Sequence, residues 1–235
     1  MIPLRDDIPS QRKPVISYLI LLLNVIIFSV QMSFADGGQG IILLFGAVPG
    51  HITGFVGNEQ ISFFDAYFPA ISYMFVHGGF LHIAGNLLFL WVFADNVEDY
   101  FGHVQFLVFY LLCGIGALLI QVLFSWSSPV PIVGASGALA GVMGAYFVLY
   151  PKAKIVTLVP IVIFIRIIKV PAVVFLGLWI LLQFVSASAS EEGVAWWAHI
   201  GGFFVGIILL YIYRNYITTR KPPKPPEDKI RVLYN

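Results

Sequence analysis

The chain has 235 residues, 59% of them hydrophobic and only 11% charged, with a formal net charge of +1 at pH 7. A soluble domain of this size carries about 25% charged residues, so this chain lacks the polar surface to cover itself and reads as an integral membrane protein. Long apolar runs rather than alternating ten-residue ones exclude a barrel in favour of helices, and no nucleic-acid partner is expected.

Residues 1–14 form a short basic leader carrying Arg5, Arg12 and Lys13. The apolar run that follows, 15–34, has about 20 residues, enough to span and longer than a signal-peptide core, so it is expected to be retained. The segment 35–78 is too irregular to span, although it carries Ile41-Ile42-Leu43-Leu44-Phe45 and Phe63-Phe64; it is expected in the interface or re-entering the bilayer. Further spans are predicted over 79–95, 103–124, 134–150, 170–188 and 194–213. The single cysteine, Cys113, lies inside the third run and reads as a small buried hydrophobe.

All 13 Lys and Arg fall into three clusters: the leader, the 151–169 loop (Lys152, Lys154, Arg166, Lys169), and six residues from Arg214 to Arg231. Basic loops face the cytoplasm. The expected architecture is therefore an all-α, polytopic membrane domain of six transmembrane helices over 15–213, between a cytoplasmic N-terminal segment and a cytoplasmic polar tail at 214–235. The outer segments 35–78, 125–133 and 189–193 contain no Lys or Arg. A bacterial inner membrane is the expected location.

Polar residues inside spans are costly and default to function. The second span carries "HIAGN" (His82, Asn86), the fourth "GASGALAGVMG" (Ser136), and the sixth "AHIGGFFVG" (His199). All three spans run from outside to inside, and each reactive residue lies within about six residues of the outer end, a shared depth of roughly 5–10 Å. Gly137 and Gly141 on the fourth span, and Gly202 and Gly206 on the sixth, have the GxxxG spacing that lets helix backbones approach closely in lipid. Close approach would bring the Ser136 hydroxyl within reach of a His199 ring nitrogen, the arrangement a nucleophile and its general base require. His82 and Asn86, at i and i+4, share one helix face. With the Ser136 backbone N–H at a helix N-terminus, they supply donors for an oxyanion. No Asp or Glu lies between Glu98-Asp99 and Glu191-Glu192, so a Ser–His dyad is the economical reading.

These residues resemble the rhomboid family of intramembrane serine proteases. "GASG" resembles its GxSG nucleophile motif, "AHIGGFFVG" its AHxxGxxxG, and "HIAGN" its HxxxN, in the right order on spans two, four and six. The resemblance implies Ser136 as nucleophile, His199 as base, and His82 and Asn86 as the oxyanion pair. It further implies hydrolysis of a peptide bond in or near the transmembrane helix of a membrane-protein substrate, with no metal or cofactor. Two departures are visible. Many relatives have an aromatic residue four positions after the nucleophile to pack on the base, and here it is Ala140. Many carry a Trp-Arg pair in the outer segment where this chain has Pro69-Ala70, which leaves the anchoring of that segment open but not the chemistry.

The remaining polar residues have plainer readings. His77 is expected to be structural or interfacial, and His51 and His103 to lie in loops. Asn24 and Gln31 suit helix–helix hydrogen bonds, Trp196 and Trp197 suit interface anchors, and Glu98 and Asp99 suit loop-ordering acceptors. The His82–His199 pair has no carboxylate or thiol to complete a metal site. The alternatives are a catalytically silent rhomboid-like protein that binds transmembrane helices and, more distantly, a transporter, for which an intramembrane carboxylate or broken-helix pair is missing.

Overall fold

The computed structural model describes residues 1–54, 62–161, 164–189 and 194–217, together with Pro222. Four of its helices are long and apolar enough to cross a membrane: α1 (Val15–Met32), α6 (Phe80–Phe101), α7 (His103–Phe124) and α10 (Trp196–Tyr216). Two shorter apolar helices, α8 (Ser136–Leu149) and α9 (Ala172–Ser188), complete the bundle. At 1.5 Å per residue α8 is about 21 Å long, short of the ~30 Å hydrocarbon core. Among the described residues, the expectation of six full-length spans is therefore met by length in four helices. Helix α8 packs against α6, α7 and α10, and every residue from Gly137 to Tyr146 is buried. A helix enclosed in this way needs no lipid-facing length.

The expectation of an all-α chain is corrected by a three-stranded antiparallel sheet. Strands β1 (Ile2–Arg5), β2 (Lys154–Ile161) and β3 (Phe164–Pro171) lie in the order β1-β2-β3. The 151–169 segment was expected to be a loop on the strength of its basic residues. Its dense Ile, Val and Thr content suits a pleated ladder, and Val156 pairs with Lys169 while Val159 pairs with Arg166. Ile155 and Thr157 are fully buried beneath it.

The second helix also runs further than expected, to Phe101, which places Glu98 and Asp99 on a helix rather than in a loop. Gly102, in the left-handed region at φ 84°, is the single residue separating α6 from α7. Helix α1 has no side-chain cap of its own at Pro14. Instead the Glu98 carboxylate accepts the free N–H groups of Ile16 (2.9 Å) and Ser17 (2.7 Å) and the Ser17 hydroxyl (2.6 Å). A negative charge at a helix N-terminus is favourable, so this contact docks α1 onto α6. Asp99 accepts the Gln11 N–H, and His103 Nδ1 lies 2.5 Å from Glu98 Oε1, the oxygen that also accepts the Ile16 N–H. His103 is thus a cross-brace on α7 rather than a loop residue. The tail beyond residue 217, expected to be cytoplasmic, and the Glu191-Glu192 pair lie outside the described residues, apart from Pro222.

The 35–78 segment, expected on the outer side, contains short helices α2 (Gln39–Phe45), α3 (Pro49–Ile52), α4 (Phe63–Tyr67) and α5 (Pro69–Ser72), then a 3-10 turn at Tyr73–Phe75. Pro69 occupies the first turn of α5, where its missing N–H costs nothing. In place of a Trp-Arg pair, backbone pairing holds this segment. Ala47 and Ile132 exchange both N–H···O bonds (2.9 and 2.8 Å), Gly50 N–H donates to Ser128 O (2.9 Å), and the Thr53 hydroxyl donates to Trp126 O (2.9 Å). The outer segment is thereby tied to the loop leading into α8.

Candidate active site

The approach of α8 to α10 sets the site. A methyl carbon at Gly202 would lie 2.1 Å from the Gly137 carbonyl oxygen, one at Gly206 2.1 Å from the Gly141 oxygen, and one at Gly144 2.1 Å from the Phe203 oxygen. Any side chain at these positions would separate the helices. On the other flank, a carbon at Gly141 would meet Cys113 Sγ at 2.4 Å, so the fully buried Cys113 fills space against α8.

This contact brings the first residue of α8 against the first turn of α10. Ser136 Oγ lies 2.8 Å from His199 Nε2. The other ring nitrogen, His199 Nδ1, lies 2.8 Å from Gln183 Oε1 on α9. Sequence reasoning did not single out Gln183. The available signal was an uncharged polar residue inside an apolar span, the same signal that drew attention to Asn24 and Gln31. The ring of His199 is further bounded by Trp179 (centroids 6.0 Å, tilted) and by Trp196 (5.9 Å, edge-on). These two indoles bound the ring in a chain that has alanine, not an aromatic residue, at position 140. Trp196, read from the sequence as an interface anchor, is also a neighbour of the histidine. Trp197 stacks flat on Phe124 at 3.8 Å.

His82 and Asn86 converge on the strand of chain just before Ser136. Gly134, at φ 115°, donates its N–H to Tyr73 O (2.8 Å) and turns the chain into α8. A carbon added at Gly134 would fall 2.6 Å from His82 Nε2 and 3.4 Å from Asn86 Nδ2, so both groups border this turn. Only glycine combines that φ with so close a neighbour. His82 Nδ1 accepts the Gly78 N–H (3.3 Å), which leaves Nε2 as the donor of the neutral ring. Asn86 Nδ2 is buried with no hydrogen-bond partner among the described residues. A buried unpaired donor costs about 1–3 kcal/mol, and an acceptor placed beside Gly134 would satisfy it. The Ser136 N–H belongs to the first turn of α8, whose N–H groups have no intrahelical acceptor.

Other polar residues separate from this site. His77 is fully buried rather than interfacial, and both its ring nitrogens lack hydrogen-bond partners among the described residues. Its ring meets His82 edge-on at 5.2 Å, while its backbone is clamped by Gln31, which donates to His77 O (2.6 Å) and accepts from His77 N–H (3.2 Å). Asn24, expected to bond a neighbouring helix, donates instead to Ile20 O of its own helix (2.8 Å). His51 ends α3 in the outer segment.

Comparison with known proteins decides the family. A model of the rhomboid domain matches residues 65–216, which hold all the residues of this site. The chain belongs to the rhomboid family. It is 31% identical over 174 residues to RHOMBOID-like protein 4 of Arabidopsis thaliana, covering 68% of this chain and 39% of that protein. It is 30% identical over 134 residues to the rhomboid protease GluP of Bacillus subtilis (57% and 24%) and 27% identical over 210 residues to the rhomboid protease AarA of Providencia stuartii (83% and 70%). The chain spans well under half the length of the first two of these rhomboids. Other relatives are mitochondrial or chloroplastic, so membership does not single out a bacterial membrane.

Proposed function

We propose that this rhomboid is an intramembrane serine endopeptidase acting through a Ser136–His199 dyad on the transmembrane segments of other membrane proteins. The observation that carries the reading is the 2.8 Å contact between Ser136 Oγ and His199 Nε2 across a glycine-lined helix pair. That is hydrogen-bonding distance for a nucleophile and its base. As Ser136 Oγ attacks a peptide carbonyl carbon, its proton passes to His199 Nε2. The oxyanion is received by Asn86 Nδ2, His82 Nε2–H and the Ser136 N–H. The imidazolium then protonates the departing amine, leaving a Ser136 ester. Water attacks that ester with His199 again as base, releasing the carboxylate product and restoring the serine.

The topology belonging to this proposal has six crossings, with the shorter α8 and α9 counted among them and both basic termini on the cytoplasmic side of a plasma membrane. The dyad then opens toward the outer face, where water is available. The test is cleavage of a single-span reporter by the full chain in liposomes, wild type beside Ser136→Ala and His199→Ala. Loss of turnover and of fluorophosphonate labelling in both variants, with wild-type folding, is expected. A wild type that neither cuts nor labels would replace the protease with the helix-binding reading.

A further inference from the structure

We propose that Gln183 is the positioning residue of this dyad, fixing the His199 tautomer in which Nε2 is free to accept the serine proton. The inference rests on the protease reading above. It starts from a polar side chain that the apolar helix α9 does not need. Between Ala172 and Val185 every other residue is apolar or Gly, and Leu182 and Phe184, on either side of Gln183, are exposed toward lipid. Gln183 itself is 6% exposed and points inward. An unsatisfied amide in such a place is costly, so both of its ends need partners.

The partners fix every hydrogen along the line. A backbone carbonyl can only accept, so the Gln183 Nε2 group, 3.0 Å from Trp179 O, must be the amide's donor end. That choice turns Oε1, which can only accept, toward His199 Nδ1 at 2.8 Å. Nδ1 must therefore carry the proton. In the neutral ring Nε2 is then the lone-pair nitrogen, and it faces Ser136 Oγ at 2.8 Å. The Ser136 hydroxyl has one remaining role, to donate. A free imidazole side chain favours the opposite form, with the proton on Nε2, and that form could not deprotonate a serine.

The same bond also helps after proton transfer. When His199 becomes an imidazolium its Nδ1–H still points at the amide oxygen, so the charge meets a dipole already oriented toward it. A neutral amide does this without placing a carboxylate in the bundle, consistent with the absence of Asp or Glu between Asp99 and Glu191. Trp179, one helical turn before Gln183 on the same face, supplies the carbonyl that orients the amide and an indole that bounds the ring at 6.0 Å. Helix α9 thus performs both parts of the task left open by Ala140.

The test uses the full chain reconstituted with the single-span reporter, comparing wild type, Gln183→Leu and Gln183→Glu. Steady-state constants are measured alongside ¹⁵N spectra of the histidine rings, the His199 signals being assigned by their loss in His199→Ala. Gln183→Leu should lower kcat about 10-fold or more with KM nearly unchanged, and should move the His199 tautomer toward Nε2–H. Gln183→Glu retains an acceptor and should recover most of the turnover and the Nδ1–H form. Wild-type kcat and an unchanged tautomer in Gln183→Leu would overturn the inference, as would Glu rescuing no better than Leu. A wild type that neither cleaves nor labels would defeat the protease reading instead. The tautomer would still decide the Gln183 bond, a shift in Gln183→Leu supporting it and no shift refuting it.

Discussion

Replacing Gly202 by alanine adds one carbon where there is no room for it. That carbon would lie 2.1 Å from the Gly137 carbonyl oxygen, 3.1 Å from its carbon and 3.2 Å from Ala140 Cβ, whereas ordinary contact begins near 3.4 Å. Two of these obstacles are backbone atoms of α8, so no side chain can swing aside, and the helices must part by roughly 1.3 Å at this point. Ser136 adjoins Gly137 and His199 lies one turn from Gly202, so the separation reaches the dyad and stretches its 2.8 Å contact toward about 4 Å. A misplacement of about 1 Å costs on the order of 10²-fold in rate, and overpacking costs about 1–3 kcal/mol of stability. Reporter cleavage in liposomes should therefore fall about 100-fold in Gly202→Ala, with a lowered unfolding midpoint. Gly177→Ala is the control, because nothing lies within 4 Å of a carbon placed there. It should leave turnover unchanged and, by removing a helix glycine, stabilise by up to about 1 kcal/mol. Wild-type turnover and stability in Gly202→Ala would refute the claim that backbone contact sets the dyad distance.

Asn86→Leu should separate activity from stability. It removes a buried donor that has no partner among the described residues, so stability should hold or rise. Loss of one oxyanion donor should lower kcat about 10²–10³-fold, and an equal loss of stability and activity would argue for a structural role. The N-terminal strand should respond to pH through Asp6. This carboxylate is half-buried, accepts from Asn96 Nδ2 (2.9 Å) and the Tyr146 hydroxyl, and its desolvation raises it from 3.8 to about 7. A raised folded-state value means that its stabilising contribution is complete below about pH 4 and is lost as pH rises through about 7. A spin label at Leu4→Cys should become more mobile across that upper range, and Asp6→Asn should remove the transition. A label whose mobility is flat with pH in the wild type would contradict this assignment.

The amino-acid sequence was enough to reveal the apolar helices and the residues on which the proposed chemistry rests. Hydropathy runs are local, so the helices begin and end within a few residues of the expected spans, apart from the longer α6. The glycine spacing on the fourth and sixth runs is local too, and it is the spacing at which the α8 and α10 backbones meet. What depends on contacts between distant residues could not be read in this way. The sheet joins residues 2–5 to 154–171, and the basic residues of the second segment concealed its strand character. Glu98 caps a helix whose first turn lies 82 residues earlier in the chain. Gln183 is only 16 residues from His199, yet nothing in that spacing indicates that its amide oxygen reaches Nδ1. That contact exists because α9 docks with one face toward α10, and only side-chain packing of the assembled bundle selects the face. Sequence alone supplied the reactive groups and the close helix pair, whereas tertiary structure decided which neighbour orients the histidine.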